Sequence, residues 1–249
     1  MKHKKLVKKM YQEIADTYYA FRTNKDTSGW FYNEHLEMPT TLKMLGKLNK
    51  KKVLDLGCGP GLYVRELRKH GAIVKGIDNS KELIEIARKE NPLNDFKIAS
   101  IENRLPYKDK EFDLVLCTLV LGHFFSWDKI FKEVSRILKK NGLFVFSIKN
   151  PIIESTEKIK IKGKEFGVVK NYFKERWIIQ YWDKKGKNVP IAHHHKTYSS
   201  IIKMIVNNGF EILDYEDTKP SLKSKKIFPK EYEKTINHPH FCVWKLRKK

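Results

Sequence analysis

The chain has 249 residues, 41% of them hydrophobic, and a formal net charge of +22 at pH 7. That is enough apolar content for one domain with a real core; no apolar run approaches a membrane span, and the Lys-rich start at Met1 lacks the apolar stretch of a secretory signal. Cys58, Cys117 and Cys242 are too scattered for metal spacing or a disulfide framework, so a reduced, cytoplasmic setting is expected. The charge invites a nucleic-acid partner, but only eight of the 51 basic residues are arginine, the residue suited to bidentate phosphate and base recognition. The lysine is spread over nearly every segment, as in a thermophile-like composition.

Residues 8–21 read as an amphipathic helix, with Met10, Ile14, Tyr18 and Phe21 at helical spacing. Residues 22–33 are polar, contain Gly29 and read as a loop. Trp30, Phe31 and Tyr32 stand together in it, either lining a pocket or anchoring the loop. Glu34 to Leu48 read as a second helix.

The stretch from Val53 to Gly61 organises the rest. Val53, Leu54 and Leu56 mark a buried strand, and Gly57, Gly59 and Gly61 follow at alternate positions. Leu62 to His70 have helical spacing, so the glycines form a strand-to-helix turn, the nucleotide-binding corner of a doubly wound sheet. In the dinucleotide fingerprint the third glycine falls where Leu62 stands. Asp55 lies two residues before Gly57. A carboxylate there repels a pyrophosphate and attracts an ammonium, which suits S-adenosylmethionine (SAM). Ile73 to Ile77 read as the second strand, ending at Asp78, which can accept hydrogen bonds from ribose hydroxyls. Ser80 is the better N-cap for the next helix, which leaves Asp78 available. Asp55, Gly57, Cys58, Gly59, Gly61, Asp78 and Asn79 are therefore the candidate cofactor contacts.

Ser80 to Glu90 read as a helix ended by Asn91-Pro92, and Asp95 to Ala99 as the third strand. Phe112 to Thr118 read as the fourth, with Asp113 as a structural acid near its start. Asp128 to Lys139 read as a helix, Asn141-Gly142 as a turn and Leu143 to Ile148 as the fifth strand. Residues 152–195 alternate polar and apolar residues around Gly163, Gly167 and Gly186. They are rich in aromatic and β-branched residues and read as short antiparallel strands. His193, His194 and His195 cannot all meet one ion from an extended chain, because neighbouring side chains face opposite ways; no metal site is expected. Gly209 to Tyr215 read as the sixth strand, 217–240 as a polar excursion, and Phe241 to Leu246 as the last strand.

VLDLGCGPG, GIDNS and FDLVLCTLVLGHF together resemble the class I SAM-dependent methyltransferases, in the branch that includes ubiquinone and menaquinone biosynthesis methylases. The resemblance runs from about Tyr11 to the end. It implies a Rossmann-like α/β fold with a seven-stranded sheet in the order 3-2-1-4-5-7-6, the last strand antiparallel. It also implies one methyltransferase domain over residues 1–249, with a helical cover over about 1–48 and a β-rich lid insertion over about 152–195. By the same carry-over Tyr11 or Tyr18 touches SAM, Ser100 and Ile101 border the adenine, and the end of the fourth strand brings methyl and acceptor together. Cys117 there suits a small buried thiol packed near the cofactor, not a nucleophile, since Leu116 stands where cytosine methylases usually carry Pro. Asn150-Pro151 follows the fifth strand, not the fourth, and so does not match the motif of amino-group methylases. His123 and His195 are the candidate general bases.

These residues point to methyl transfer from SAM to a small apolar or aromatic acceptor. Two other readings stay open, an RNA methylase using the basic surface and a non-catalytic SAM-binding protein. Asp55 and the glycine spacing disfavour a nicotinamide enzyme.

Overall fold

A computed structural model describes residues 2–184 and 187–249; Gly186, expected to punctuate the lid, lies outside them. Helix α1 (Lys2–Thr23), a helical turn α2 (Ser28–Trp30), a π-helix over Phe31–Glu37 and α3 (Met38–Leu45) come first. Then strands and helices alternate: β1 (Lys52–Leu56), α4 (Leu62–Lys69), β2 (Ile73–Asp78), α5 (Lys81–Glu90), β3 (Asp95–Ile98), β4 (Phe112–Thr118), α6 (Asp128–Ile137) and β5 (Leu138–Lys149). A short α7 (Pro151–Glu154) leads into two hairpins, β6 (Thr156–Ile161) with β7 (Lys164–Val169) and β8 (Arg176–Lys184) with β9 (Lys187–His195). They are followed by α8 (Tyr198–Asn207), β10 (Phe210–Asp217), α9 (Ser224–Ile227), α10 (Pro229–Thr235) and β11 (Phe241–Lys248).

The main sheet has seven strands in the order β10-β11-β5-β4-β1-β2-β3. The strands from β1 to β5 pair parallel, and β11 runs antiparallel between β5 and β10. This is the doubly wound order that the sequence implied. Because strand side chains alternate between faces, a sheet covered on both sides needs apolar residues at consecutive positions. Val53, Leu114, Val145 and Val243 pack on one face with Val64, Leu67 and Ile84. Their chain neighbours Leu54, Val115, Phe144, Phe146 and Trp244 pack on the other with Trp127, Phe131, Val134 and Ile201. Ser80 caps α5 as expected, its Oγ accepting from Leu83 N at 3.2 Å. Asp113 is structural: it accepts from Lys52 N and Lys139 Nζ, each at 2.8 Å.

Residues 22–33 depart from the expected loop. Thr27 accepts from Trp30 N at 3.2 Å and starts helical backbone that runs on through the π-helix. Gly29 is required there, since a Cβ would meet the Phe21 ring at 2.3 Å. Phe31 is fully buried and anchors this segment against Phe228 and Phe241. The expected turn at Asn141-Gly142 lies inside β5, with Asn141 at φ 58°. The excursion at 217–240 contains α9 and α10. Among the described residues no helix is long and apolar enough to cross a membrane.

Phe146 is fully buried, and its ring sits 5.4–6.2 Å from four aromatic neighbours: Phe144 at 5.4, Trp127 at 5.7, Phe131 at 6.1 and Trp244 at 6.2 Å. Phe146→Ala should cost about 3–5 kcal/mol of stability, read as a lower urea midpoint at unchanged slope. A loss under about 1 kcal/mol would show that this aromatic cluster collapses readily around the gap.

Candidate active site

The glycine turn between β1 and α4 is pinned to the neighbouring strand. Gly57 N and Cys58 N donate to Ile77 O at 2.7 and 3.0 Å, and Gly59 N donates to Asp78 Oδ2 at 3.0 Å. Gly57 has φ +79°, and a Cβ on it would meet Val120 Cγ2 at 2.5 Å, so only glycine fits. At Gly59 a Cβ would meet nothing within 4 Å; its open side faces a cavity of about 450 Å³.

One end of the cavity is walled by Gly57, Gly59, Asp78, Asn79, Ile101 and Leu119. Tyr11 and Tyr18 of α1 close over this region and pack edge to face, 5.4 Å apart. Tyr11 OH also meets His123 Nε2 at 3.2 Å. The other end is walled by Phe124, Trp127, Trp182, Ile191, His193 and Phe241, with Lys149, Glu154 and Lys196 among them. The lid thus divides. The hairpin β8–β9 supplies Gln180, Trp182, Ile191, His193 and His194 to the wall, whereas β6–β7 supplies none.

Two ionisable groups at the glycine end keep buried polar atoms without partners. Asp55 is 1% exposed, and neither of its carboxylate oxygens has a hydrogen-bond partner. Burial, then the nearby Asp78 and Glu37, push its carboxyl up to about 8. Arg22 lines the cavity, donates to Tyr18 OH at 2.7 Å and to Asn33 Oδ1, and keeps Nε buried without a partner. Unpaired buried charge is expensive, so this end is complementary to a ligand carrying both an ammonium and a carboxylate. The amino-acid portion of SAM is such a group. Asp78 is also raised by burial, and it accepts from Gly59 and Ser80 backbone N–H groups. The residues present therefore fit SAM.

The other sequence candidates are distributed as follows. Asp78, Asn79, Ile101, Gly57, Gly59, Tyr11, Tyr18 and His123 stand on the wall. Asp55, Cys58, Gly61, Ser100, Cys117 and His195 do not. The Cys58 thiol turns back towards Gly59 O at 3.7 Å, and Cys117 is buried in the sheet core. Ser100 Oγ accepts from Glu102 N at 3.4 Å. His195 is fully buried behind the wall, bonded to Tyr172 O at 2.8 Å, Glu154 Oε2 at 3.2 Å and Ser155 Oγ at 3.3 Å; His193, two residues earlier on β9, lines the cavity in its place. His123 is fixed by Ala192 O at 2.9 Å, and burial lowers its basicity. Arg22, Asn33, Lys149, Glu154, His193, Lys196 and His240 also line the cavity and were not anticipated. They come from separate segments and share no local motif. The one available signal was a charge inside an otherwise apolar run, as at Lys149 and Glu154.

A methyltransferase-domain family profile matches residues 54–146. A protein of Pelagibacter ubique named ubiquinone biosynthesis O-methyltransferase is 33% identical over 175 residues, covering 67% of this chain and 68% of its own. An uncharacterized protein of Haemophilus influenzae is 26% identical over 230 residues, covering 87% and 88%. A crystal structure described as an S-adenosylmethionine dependent methyltransferase from Mesorhizobium loti superposes with a TM-score of 0.73 at 26% identity, covering 85% of this chain and 97% of its own.

The raised Asp55 carboxyl has a consequence for the ligand-free protein. With its folded pKa above its ordinary value of 3.8, the folded state holds the proton more tightly than the unfolded state. Stability from this group is present below about pH 3.8 and is lost as pH rises to about 8. Asp55→Asn should therefore raise the ligand-free melting temperature at pH 8 more than at pH 5, and weaken SAM binding at both. Equal shifts at the two pH values would exclude a raised carboxyl.

Proposed function

The chain belongs to the class I SAM-dependent methyltransferases, and we propose that it transfers the methyl group to a hydroxyl oxygen of a small, largely apolar aromatic acceptor. The observation carrying this is the far lobe of the cavity, where Phe124, Trp127, Trp182, Ile191 and Phe241 surround a few polar groups. A mostly apolar pocket with few polar groups suits a small ring-bearing ligand. Oxygen as the target is supported by relatives named as ubiquinone biosynthesis O-methyltransferases. We read residues 1–249 as one catalytic unit, with α1 as cover and β8–β9 as the working part of the lid.

Bound SAM supplies a methyl group already activated on a sulfonium. The protein's own work is then alignment and exclusion of water. Asp78 offers its carboxylate to ribose hydroxyls, and Ile101 gives an apolar face beside the adenine. Asp55 and Arg22 complement the ammonium and carboxylate of the amino-acid portion. Tyr11 and Tyr18 shut the cofactor end, and Tyr11 fixes His123 at the join between the two lobes. Backbone glycines let the cofactor lie against the main chain without a side chain intervening.

The RNA reading calls for basic residues around the cavity mouth. Among the described residues the cationic side chains that line the cavity are Arg22, Lys149 and Lys196, and Lys196 is only 4% exposed. This arrangement supports a small ligand over a phosphate backbone.

Titration calorimetry with SAM and S-adenosylhomocysteine tests the cofactor assignment. The native chain should bind both, and Asp78→Ala should weaken each by about tenfold to a hundredfold, the worth of hydrogen bonds to a charged group. Absence of binding to the folded native chain would overturn it. Screening phenols beside bulk transfer RNA tests the acceptor: methylation of a phenol is expected, and salt-steep RNA binding with RNA methylation would favour the other reading.

A further inference from the structure

Four groups line the acceptor end of the cavity: Glu154 of α7, His193 of β9, Lys149 of β5 and Lys196 just after β9. Glu154 ends α7, and its side chain is 7% exposed. Its partners are two imidazoles, His193 Nε2 on Oε1 and His195 Nδ1 on Oε2, each at 3.2 Å. His193 and His195 alternate along β9 and so present the same face to it. His193 lines the cavity and packs over Gly122, just beyond the end of β4, where its Cβ lies 3.8 Å from the position of a Gly122 Cβ. Lys149 at the end of β5 also lines the cavity, and its one hydrogen bond among the described residues is to the neutral Gln180 Oε1, at 2.7 Å. Lys196 lines it too and bonds to Phe125 O at 2.5 Å and His194 Nδ1 at 3.0 Å.

This is an unusual set of neighbours. The lobe holds two ammonium groups and one carboxylate, and the carboxylate is engaged by imidazoles and not by either lysine. Both lysines are held below their ordinary basicity by burial, Lys196 at about 8. A bound anion would restore them. His193 is held near 3, by burial first and then by Lys149, His123 and His195, so it is neutral at working pH. A neutral imidazole that donates from Nε2 to a carboxylate keeps a lone pair on Nδ1, the form that accepts a proton, and the carboxylate stabilises the imidazolium that results.

We propose that the acceptor is an acidic hydroxyl compound, a phenol or enol, whose oxygen lies beside Lys149 and whose proton is taken by His193 backed by Glu154. The inference rests on the oxygen-methylation reading above and deepens it. The O–H bond breaks and its proton passes to His193. The oxygen's electron pair forms the O–CH₃ bond, the S–CH₃ bond breaks, and its pair stays on sulfur in neutral S-adenosylhomocysteine. His193 then returns the proton to water. His195 is a positioning residue: it holds the second oxygen of Glu154 and is itself held by Tyr172 O and Ser155. His123 faces His193 from the β4 side and is tied to Tyr11, so it contributes to closure over the cofactor.

The ionisation of a coloured phenol reads this directly, without turnover. The native protein, saturated with S-adenosylhomocysteine, is titrated with 4-nitrophenol across pH and followed by absorbance. 4-Nitroaniline, similar in shape with no acidic hydroxyl, serves as control. The bound phenol should ionise at least about one pH unit lower than the free one, a tenfold shift, and bind about tenfold tighter than the aniline. Lys149→Met should abolish the shift. His193→Gln and Glu154→Gln should leave binding of S-adenosylhomocysteine unchanged by calorimetry, reduce the shift, and remove pH-independent phenol turnover. A phenol bound in its neutral form, a shift unaltered in all three variants, or equal binding of the aniline would overturn the proposal while leaving the cofactor reading intact. Failure of the folded native chain to bind S-adenosylhomocysteine would overturn both.

Discussion

The site depends on a carboxylate that the fold keeps dry. Asp55 lies one residue before the end of β1, between β2 and β4 in the parallel part of the sheet, where it is buried and neither carboxyl oxygen has a hydrogen-bond partner. Folding tolerates such a group only because the flanking strands bury enough apolar surface to offset it. The glycine turn, the pinning of Gly57 and Cys58 to Ile77, and the capture of Gly59 by Asp78 all hold the backbone around that acid. Arg22, reaching in from α1 with one nitrogen unanswered, adds the opposite sign at the same end. The glycine end thus offers an acid and a base whose signs match the ammonium and the carboxylate of an amino acid.

How much of this was legible in the sequence follows from how local each signal is. The strand-turn-helix around Gly57 was readable because its backbone geometry is written in consecutive residues, and Ser80 was readable because a cap acts three residues along. Strand order came from resemblance, since periodicity fixes elements and not their neighbours. The aromatic run at Trp30 to Tyr32 misled because polar composition and a glycine resemble a loop, while the packing of Phe31 on Phe228 and Phe241 decides the conformation and lies some two hundred residues away. The histidine run misled by two residues: His193 and His195 share a face of β9, and family spacing indicated His195, but the bonds to Tyr172, Glu154 and Ser155 hold that ring behind the wall and the cavity receives His193. Lys149 and Glu154 showed only as charges in an otherwise apolar run, and His240 had no local signal, because each acquires its setting only when β5, α7 and the segment before β11 meet.

The two coverings of the cavity also touch each other. Met10 and Ile14 of α1 pack with Val189 and Ile191 of β9, and the Tyr18 and Trp182 rings lie 5.6 Å apart. The helix over the glycine end of the cavity and the hairpin over its apolar end therefore share an apolar seam, and parting one strains the other. The β6–β7 hairpin stands apart from this seam, with Ile161 and Phe166 about half exposed.

The position of β11 bears on how the molecule is made. Its residues Cys242, Val243 and Leu246 are fully buried, and it joins β5 to β10 along nearly its whole length. During synthesis these two strands wait for a segment that follows both of them in the chain. Until it arrives each exposes an open backbone edge, the feature that recruits stray chains. The doubly wound half from β1 to β5 can assemble from near neighbours in sequence, whereas closure of the sheet is a late, long-range event. Aggregation during overexpression would accordingly begin at the edges of β5 and β10.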